Sequence, residues 1–308
     1  MSKVLITTSS FDLGNFHDAK ALQDRGISIE KNPYGRRLTE NEVAELTSHG
    51  VIAVLAGLEP LTEKVLSGAK SLRVIARCGT GLDNVDLNAA KKLGIDVFNT
   101  PDAPTQAVAE LTIGHMLNML RGISVTDSHI RAGNWLPMMG SLLSTKTVGI
   151  IGLGRIGASV AKLLHAFGSR VVAHDPIITG HPNVELLPLA DLLRVADIVS
   201  LHTPHSAETH HILDAAAFSL MKQGSCVVNV SRGGLIDEIA LEHSLSSQHL
   251  AGAALDCFED EPYNGPLLKL STVHVTAHMG SYARETRDLM EAEASQNLIT
   301  GLRKRGLL

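Results

Sequence analysis

Three short segments toward the end of the chain carry the residue types of a proton-transfer site. Asn229-Val230-Ser231-Arg232-Gly233-Gly234 reads as a strand ending in an arginine before two glycines. A guanidinium placed there can grip a carboxylate through two parallel N–H bonds, a fork that lysine lacks. Leu255-Asp256-Cys257-Phe258-Glu259-Asp260-Glu261-Pro262 and Val275-Thr276-Ala277-His278-Met279-Gly280-Ser281 both follow short apolar runs, so both fall on loops at strand ends. Any one acidic or imidazole group in these loops taken alone reads as surface charge. Together they suggest a His–carboxylate pair. A carboxylate bonded to one ring nitrogen fixes the tautomer and raises the histidine pKa, so the other nitrogen can donate a proton near neutral pH.

A second signal lies upstream. Val148-Gly149-Ile150-Ile151-Gly152-Leu153-Gly154-Arg155-Ile156-Gly157 reads as a strand, a glycine turn and a helix start, and Val171-Val172-Ala173-His174-Asp175 as a second strand ending in a carboxylate. Gly152 permits the tight turn, Gly154 the approach of a diphosphate to the backbone, and Gly157 close helix–strand packing. A helix over 155–167 aims its free N–H groups and positive dipole end at that diphosphate. Asp175, eighteen residues beyond Gly157, falls where it can accept hydrogen bonds from ribose hydroxyls. A 2′-phosphate beside this carboxylate would meet like charge. Pro176 comes next and no Arg or Lys follows until Arg194, so the sequence favours NAD over its phosphorylated form.

These residues need elements to hold them. Short β-branched runs at 4–7, 51–55, 74–76 and 96–99 alternate with helical patterns at 39–49, 62–67 and 88–93. A second series runs through 148–151, 170–174, 198–201, 226–229, 253–255 and 273–276, after a long helical pattern at 105–120. Such alternation predicts α/β architecture with parallel sheets, here two doubly wound domains. The glycine turn falls at residue 152 rather than near the start, so the dinucleotide domain is the inserted one. A last helix over 283–301 is expected to return to the first domain, with the active site in the cleft between domains.

At 308 residues, two domains are expected. The formal net charge of −5 argues against a nucleic-acid surface, and the basic Arg303-Lys304-Arg305 reads as a solvated tail. Three cysteines, Cys78, Cys226 and Cys257, are too scattered for a disulfide framework or a zinc site and suggest buried thiols in a reducing compartment. The opening residues lack the apolar run of a signal peptide, and no stretch is long and apolar enough to span a membrane, which points to the cytoplasm. His202, His205, His210 and His211 cluster, but no Cys or carboxylate pair completes a ligand set, so no metal is expected. His115 reads as a helix residue with no chemistry.

The order glycine turn, Arg232-Gly233-Gly234, Asp256-x-Phe258-x-x-Glu261-Pro262 and His278-x-Gly280 resembles the D-isomer-specific 2-hydroxyacid dehydrogenases over essentially the whole chain. Asn32-Pro33-Tyr34-Gly35-Arg36, the run from Arg77-Cys78-Gly79-Thr80 to Asp86, and Asn99-Thr100-Pro101 are most similar to the phosphoglycerate dehydrogenase branch. The resemblance implies a Rossmann NAD-binding domain, 99–283, inserted into a flavodoxin-like substrate domain, 1–98 with 284–308. It also implies a homodimer, with the 105–120 helix and the Trp135 region at the contact. The implied roles follow the matching residues. Arg232 holds the substrate carboxylate. His278 exchanges a proton with the substrate oxygen as hydride moves. Glu261 partners His278 in preference to Glu259 or Asp260. Asp256 contacts the nicotinamide carboxamide; Thr80, Thr203, Val230, Ser231 and Ser281 line the cofactor. Backbone N–H groups around Ala56-Gly57 and Cys78-Gly79, with Arg77, complete the carboxylate site.

Departures from the family bear on substrate. Ala56-Gly57-Leu58-Glu59-Pro60-Leu61-Thr62 puts Leu58 and Glu59 where phosphoglycerate-specific members offer basic or hydroxyl groups. Glu59 would repel a dianion if it faced the cleft; it could instead point to solvent. Arg36, Arg37 and Arg77 remain candidate anion contacts, although Arg77 could pair with Asp83 or Asp86. Ala277 stands where many relatives have proline. The chain ends at residue 308, so the regulatory domain of longer phosphoglycerate dehydrogenases is not expected. An NAD(H)-sensing corepressor-like protein and a phosphite-type dehydrogenase are the competing readings. Glu261 disfavours a formate enzyme, which carries glutamine there.

Overall fold

Residues 2–16 and 18–308 are described by the computed structural model. In chain order the first strands and helices are β1 (Lys3–Ile6), α1 (Ala19–Asp24), β2 (Ser28–Lys31), α2 (Glu40–Thr47), β3 (Val51–Ala56), α3 (Glu63–Gly68), β4 (Val74–Arg77), α4 (Leu87–Lys92) and β5 (Asp96–Phe98). Then come α5 (Thr105–Arg121), α6 (Ile123–Arg131), β6 (Thr147–Ile151), α7 (Arg155–Phe167), β7 (Arg170–His174), β8 (Glu185–Leu186), α8 (Leu189–Val195) and β9 (Ile198–Leu201). The chain closes with α9 (Ala215–Leu220), β10 (Ser225–Asn229), α10 (Glu238–Ser246), β11 (Leu250–Leu255), β12 (Val273–Val275) and α11 (Arg284–Lys304). Two units result: residues up to Pro104 joined by Ser281–Leu308, and Thr105–Gly280.

The first unit holds a five-stranded sheet in the order β2-β1-β3-β4-β5, with every neighbouring pair parallel. Every residue of β3 and β4 is buried, as expected of strands covered on both faces. Successive side chains alternate between two cores. Val4 and Ile6 join the cluster beneath α11, with Met290, Ala294, Leu298 and Ile299, whereas Leu5 joins Val43, Val65, Leu66 and Ala89 on the opposite face. Helix starts are written locally. Thr39 and Glu42 form a reciprocal capping box at α2, and Thr62 and Asp86 cap α3 and α4.

The second unit is a seven-stranded sheet, β12-β11-β10-β9-β6-β7-β8, again parallel throughout. Val148, Ile150, Val171 and Ala173 face a core with Val160, Ala161 and Leu164 of α7, while Val172, Val199, Leu201 and Val227 face the other with Leu192, Phe218 and Leu241. Both units are doubly wound parallel α/β layers, the class that the sequence predicts. Two strands lack a sequence signal: β2 is mostly exposed, and β8 is two residues long at a sheet edge.

Candidate active site

Because all seven strands of the second unit run the same way, every strand ends on the same edge of the sheet. Read across that edge, β12 leads to His278, β11 to Asp256 and Glu261, β10 to Ser231 and Arg232, β9 to Thr203, β6 to Gly152 and β7 to Asp175. The site residues expected in this unit therefore share one edge, the side where open α/β sheets bind ligands.

The glycine turn has the geometry its chemistry requires. Gly152 has φ +94°, and a Cβ on Gly157 would stand 2.1 Å from the Gly152 carbonyl oxygen, so neither position admits a side chain. Gly154 is the opposite case: a Cβ there would meet nothing within 4 Å. The turn is open at the residue that caps α7, and no side chain caps that helix, the arrangement by which a helix N-terminus receives an anionic group. Arg155 and Ile156 form the first helical positions. Asp175 ties the turn together: one oxygen accepts Leu153 N–H at 2.8 Å and the other accepts Ile177 and Ile178 N–H at 2.9 and 3.1 Å. Burial would raise its pKa, but these backbone bonds outweigh it and hold the carboxyl below the ordinary value. One N–H bond on the Leu153-facing oxygen leaves acceptor capacity for a ribose hydroxyl.

His278 sits at φ +51° and its Nδ1 lies 2.9 and 3.0 Å from the two oxygens of Glu261. Both side chains are mostly buried, at 25% and 20% exposure, and the Glu261–Pro262 bond is cis. Glu259 takes a different imidazole, that of His211, and its own N–H donates to Glu238 at 2.9 Å. Among the three neighbouring acids it is Glu261 that meets His278. Asp256, 1% exposed, accepts Thr276 Oγ1 at 2.5 Å, Met279 N–H at 2.9 Å and Gly280 N–H at 2.8 Å. The resemblance implies a carboxamide contact for Asp256; its carboxylate is turned into the loop that carries His278. The His278 N–H also donates to the Asp256 carbonyl at 2.7 Å.

Two residues of this network went unassigned in the sequence. Thr276 donates its single proton to Asp256 and so accepts from His115 Nε2 at 3.2 Å. His115 is buried in α5, and that burial lowers its pKa. It supports the loop, where the sequence suggests a helix residue without a role. Thr276 lies in the His278 segment, but nothing in the sequence ties it to His115, 161 residues earlier.

Asn229, fully buried at the end of β10, shapes the arginine turn. Its side chain accepts Ser231 N–H at 3.0 Å and donates to the Arg232 carbonyl at 2.8 Å. Ser231 Oγ reaches across to the Leu201 carbonyl at 2.8 Å, and Arg232 Nη1 donates to the Ser231 carbonyl at 2.7 Å. The histidines after β9 diverge. His202 turns inward to Ser200, and desolvation pushes its pKa down to about 3, while His205 bonds His210 at 3.1 Å. Among the described residues no three His, Cys, Asp or Glu side chains are placed to hold a metal ion.

In the first unit the N–H groups expected to hold a carboxylate all donate internally. Gly57 N–H points at both Glu59 oxygens, 3.0 and 3.1 Å away; Cys78 N–H pairs with Ala56 at 2.8 Å; Gly79 N–H meets Thr100 Oγ1 at 2.8 Å. Arg77 is 5% exposed and turns Nη1 onto the Cys78 carbonyl, while Asp86 caps α4. Arg36 is engaged as a fork with Glu42, whose pKa it pulls down to about 2. Thr80 lies exposed after β4, 3.5 Å from the Pro101 carbonyl, and Ser281 opens the returning segment. Of the two alternatives stated for Glu59, the solvent-facing one is overturned. At 1% exposure it does not point to solvent, and it is folded onto its own loop. Burial raises its pKa, against the Thr7, Gly57 and Arg77 contributions. Thr7 Oγ1 lies against both Leu55 O and Glu59 with one proton to give, so a proton on Glu59 completes the chain.

Residues 113–280 match the model of the D-isomer specific 2-hydroxyacid dehydrogenase, NAD binding domain. The chain is 40% identical over 258 residues to D-3-phosphoglycerate dehydrogenase of Methanocaldococcus jannaschii, covering 81% of this chain and 49% of that protein. It thus spans about half the length of the curated relatives it matches. Among solved structures, the TT0316 protein of Thermus thermophilus superposes with a TM-score of 0.89 at 35% identity, over 98% of this chain and 97% of that one. A glyoxylate reductase from Paecilomyes thermophila gives 0.88 at 30%, over 100% and 97%. The chain therefore belongs to the D-isomer specific 2-hydroxyacid dehydrogenase family, on its phosphoglycerate dehydrogenase branch.

Proposed function

We propose that this protein is an NAD-dependent oxidoreductase that transfers hydride between nicotinamide and C2 of a small 2-hydroxy or 2-keto acid, D-3-phosphoglycerate-like or a related 3-substituted lactate or glycerate. The observation that carries this reading is the His278–Glu261 pair on the strand edge that also bears Arg232 and the open glycine turn. NAD fits the turn because Gly154 leaves room and Asp175 offers a carboxylate rather than a cation. When bound, NADH supplies the hydride. Arg232 holds the substrate carboxylate and polarises the keto oxygen. His278, with Nδ1 committed to Glu261, gives its Nε2 proton to that oxygen in reduction and takes it back in oxidation. Val230, Ser231, Thr203, Thr80, Asp256 and Ser281 are assigned to the cofactor wall. In this reading 99–283 is the NAD domain, and 1–98 with 284–308 the substrate domain.

The proposal extends to a homodimer. Trp135 is 82% exposed and Met139 100% exposed, in an apolar stretch that also bears Leu136, Met138 and Leu142. Clustered exposed apolar side chains of this kind mark interaction surfaces. Sedimentation of the wild type and of a Trp135→Glu, Met139→Glu variant tests it, with a monomeric wild type as the refuting result. Three free cysteines agree with a cytoplasmic location; burial pushes Cys78 and Cys226 up to about 11. No helix among the described residues is long and apolar enough to cross a membrane.

The deciding experiment measures NADH oxidation against 3-phosphohydroxypyruvate, hydroxypyruvate, glyoxylate, sulfopyruvate and phenylpyruvate, with His278→Ala as control. Turnover of at least one acid, abolished by the control, is expected. Tight NADH binding without turnover would favour a corepressor-like sensor instead.

A further inference from the structure

An open parallel sheet receives its ligand beyond the carboxyl ends of its strands, at the point where strand order reverses. In the first unit that point lies between β1 and β3, because the chain steps outward to β2 and then returns past β1 to β3, β4 and β5. Ile6 runs there into Thr7 and Thr8, and Ala56 runs into Gly57. The protein places a side chain of its own across these two strand ends. Glu59 bonds Gly57 N–H from one strand and Thr7 Oγ1 from the other, at 1% exposure. The buried Arg77 guanidinium, from the end of adjacent β4, acts on the same carboxyl group. Thr8 Oγ1, in a residue 8% exposed at the same strand end, has no hydrogen-bond partner among the described residues. The Gly57 N–H and the Arg77 guanidinium thus act on the Glu59 carboxyl group, the Thr7 hydroxyl lies against it, and the unpartnered Thr8 hydroxyl stands at the same strand end: the polar groups of a small oxyanion site, gathered about a carboxyl group of the chain.

We propose that Glu59 is a specificity-determining residue: it occupies the anion site at the β1–β3 switch point and selects for 2-keto acids without a phosphate. This rests on the proposed reaction and on the first unit receiving the substrate. A phosphoryl group would have to displace a tethered carboxyl held at high effective concentration, and where that carboxyl is ionised it would also meet like charge. A substrate with only its 2-keto carboxylate makes no such demand.

The test has two independent arms. Isothermal titration with inorganic phosphate on the wild type, Glu59→Ala and Glu59→Ser needs no catalysis. We expect no saturable binding by the wild type and a gain of about tenfold or more in affinity in the variants. In the second arm, kcat/KM for hydroxypyruvate should exceed that for 3-phosphohydroxypyruvate in the wild type, and truncation should shift the ratio about tenfold toward the phosphorylated acid. Saturable phosphate binding by the wild type, or wild-type preference for the phosphorylated acid, overturns the proposal. Phosphate binding by the variants with an unchanged substrate ratio overturns the selectivity claim. If neither variant folds, the wild-type arms still decide. If no acid is turned over, the reaction reading fails while the phosphate titration still reports on Glu59.

Discussion

His278 Nδ1 is 2.9 Å from one carboxylate oxygen of Glu261 and 3.0 Å from the other. The two residues come from loops after adjacent parallel strands, β12 and β11, so the pairing is made by the sheet. With Nδ1–H donated to the carboxylate, the proton that can be exchanged is the one on Nε2.

Replacing Glu261 by Gln keeps the shape but removes the charged acceptor that holds His278 Nδ1. The loss in kcat/KM for keto-acid reduction should be about 10²-fold or more, with NADH affinity nearly unchanged. Initial rates and NADH titration check this, and a rate within a few-fold of the wild type would show that Glu261 does not position His278.

Thr276→Val removes one hydroxyl of nearly unchanged shape. It leaves the buried Asp256 carboxylate short of a donor and His115 short of an acceptor. The expected cost is about 1–3 kcal/mol in urea unfolding. His115→Ala should cost less on a Thr276→Val background than on the wild type; additive losses would break the proposed link.

Asp175→Ala removes the acceptor for three backbone N–H groups. Fluorescence titration should show NADH affinity falling about tenfold or more, since bonds to a charged group carry about 1.5–3 kcal/mol each. The preference for NADH over NADPH should also narrow, because the like charge facing a 2′-phosphate is gone. Weaker NADH binding with unchanged preference would make Asp175 a clamp on the turn alone.

Glu59 gives a pH signature. Its folded pKa is raised, chiefly by burial, so its contribution to stability is fully present below the unfolded value of about 4.5 and is lost as pH rises through the folded value. Glu59→Gln cannot ionise and escapes that loss. Urea midpoints of the variant and the wild type should therefore diverge in favour of Gln as pH rises from about 5 toward the folded pKa, with stability separating by ~1.4 kcal/mol for each pH step of one between the unfolded and folded values. Parallel curves would mean that Glu59 titrates alike in both states.

Much of the site was legible because its signals are local. Gly152 and Gly157 hold positions that admit no side chain, Gly154 leaves the turn open, and Asp175 follows the next strand. Arg232 and the loops of Asp256, Glu261 and His278 each follow an apolar run whose end could be read directly. Once the strands are parallel, residues at their ends must share one edge, so the sequence determined the membership of the second unit's edge. The polar strand β2 was hidden because Ser28, Glu30 and Lys31 are exposed and show no apolar alternation.

Tertiary structure decided what each group bonds to. From the sequence Glu59 could face the cleft or solvent; it is buried against Thr7, fifty-two residues earlier, which follows the neighbouring strand. Thr276 and His115 are 161 residues apart, and only the packing of α5 beneath β11 brings them together. The resemblance already preferred Glu261 as the partner of His278; what the folded chain added is that Glu259 goes to another imidazole, His211. The sequence by itself determined the strands, the turns and the types of side chain at their ends, because these follow from short-range sterics and periodicity. Hydrogen-bond partnership depends on where separate strands come to lie, and that the folded sheets decided.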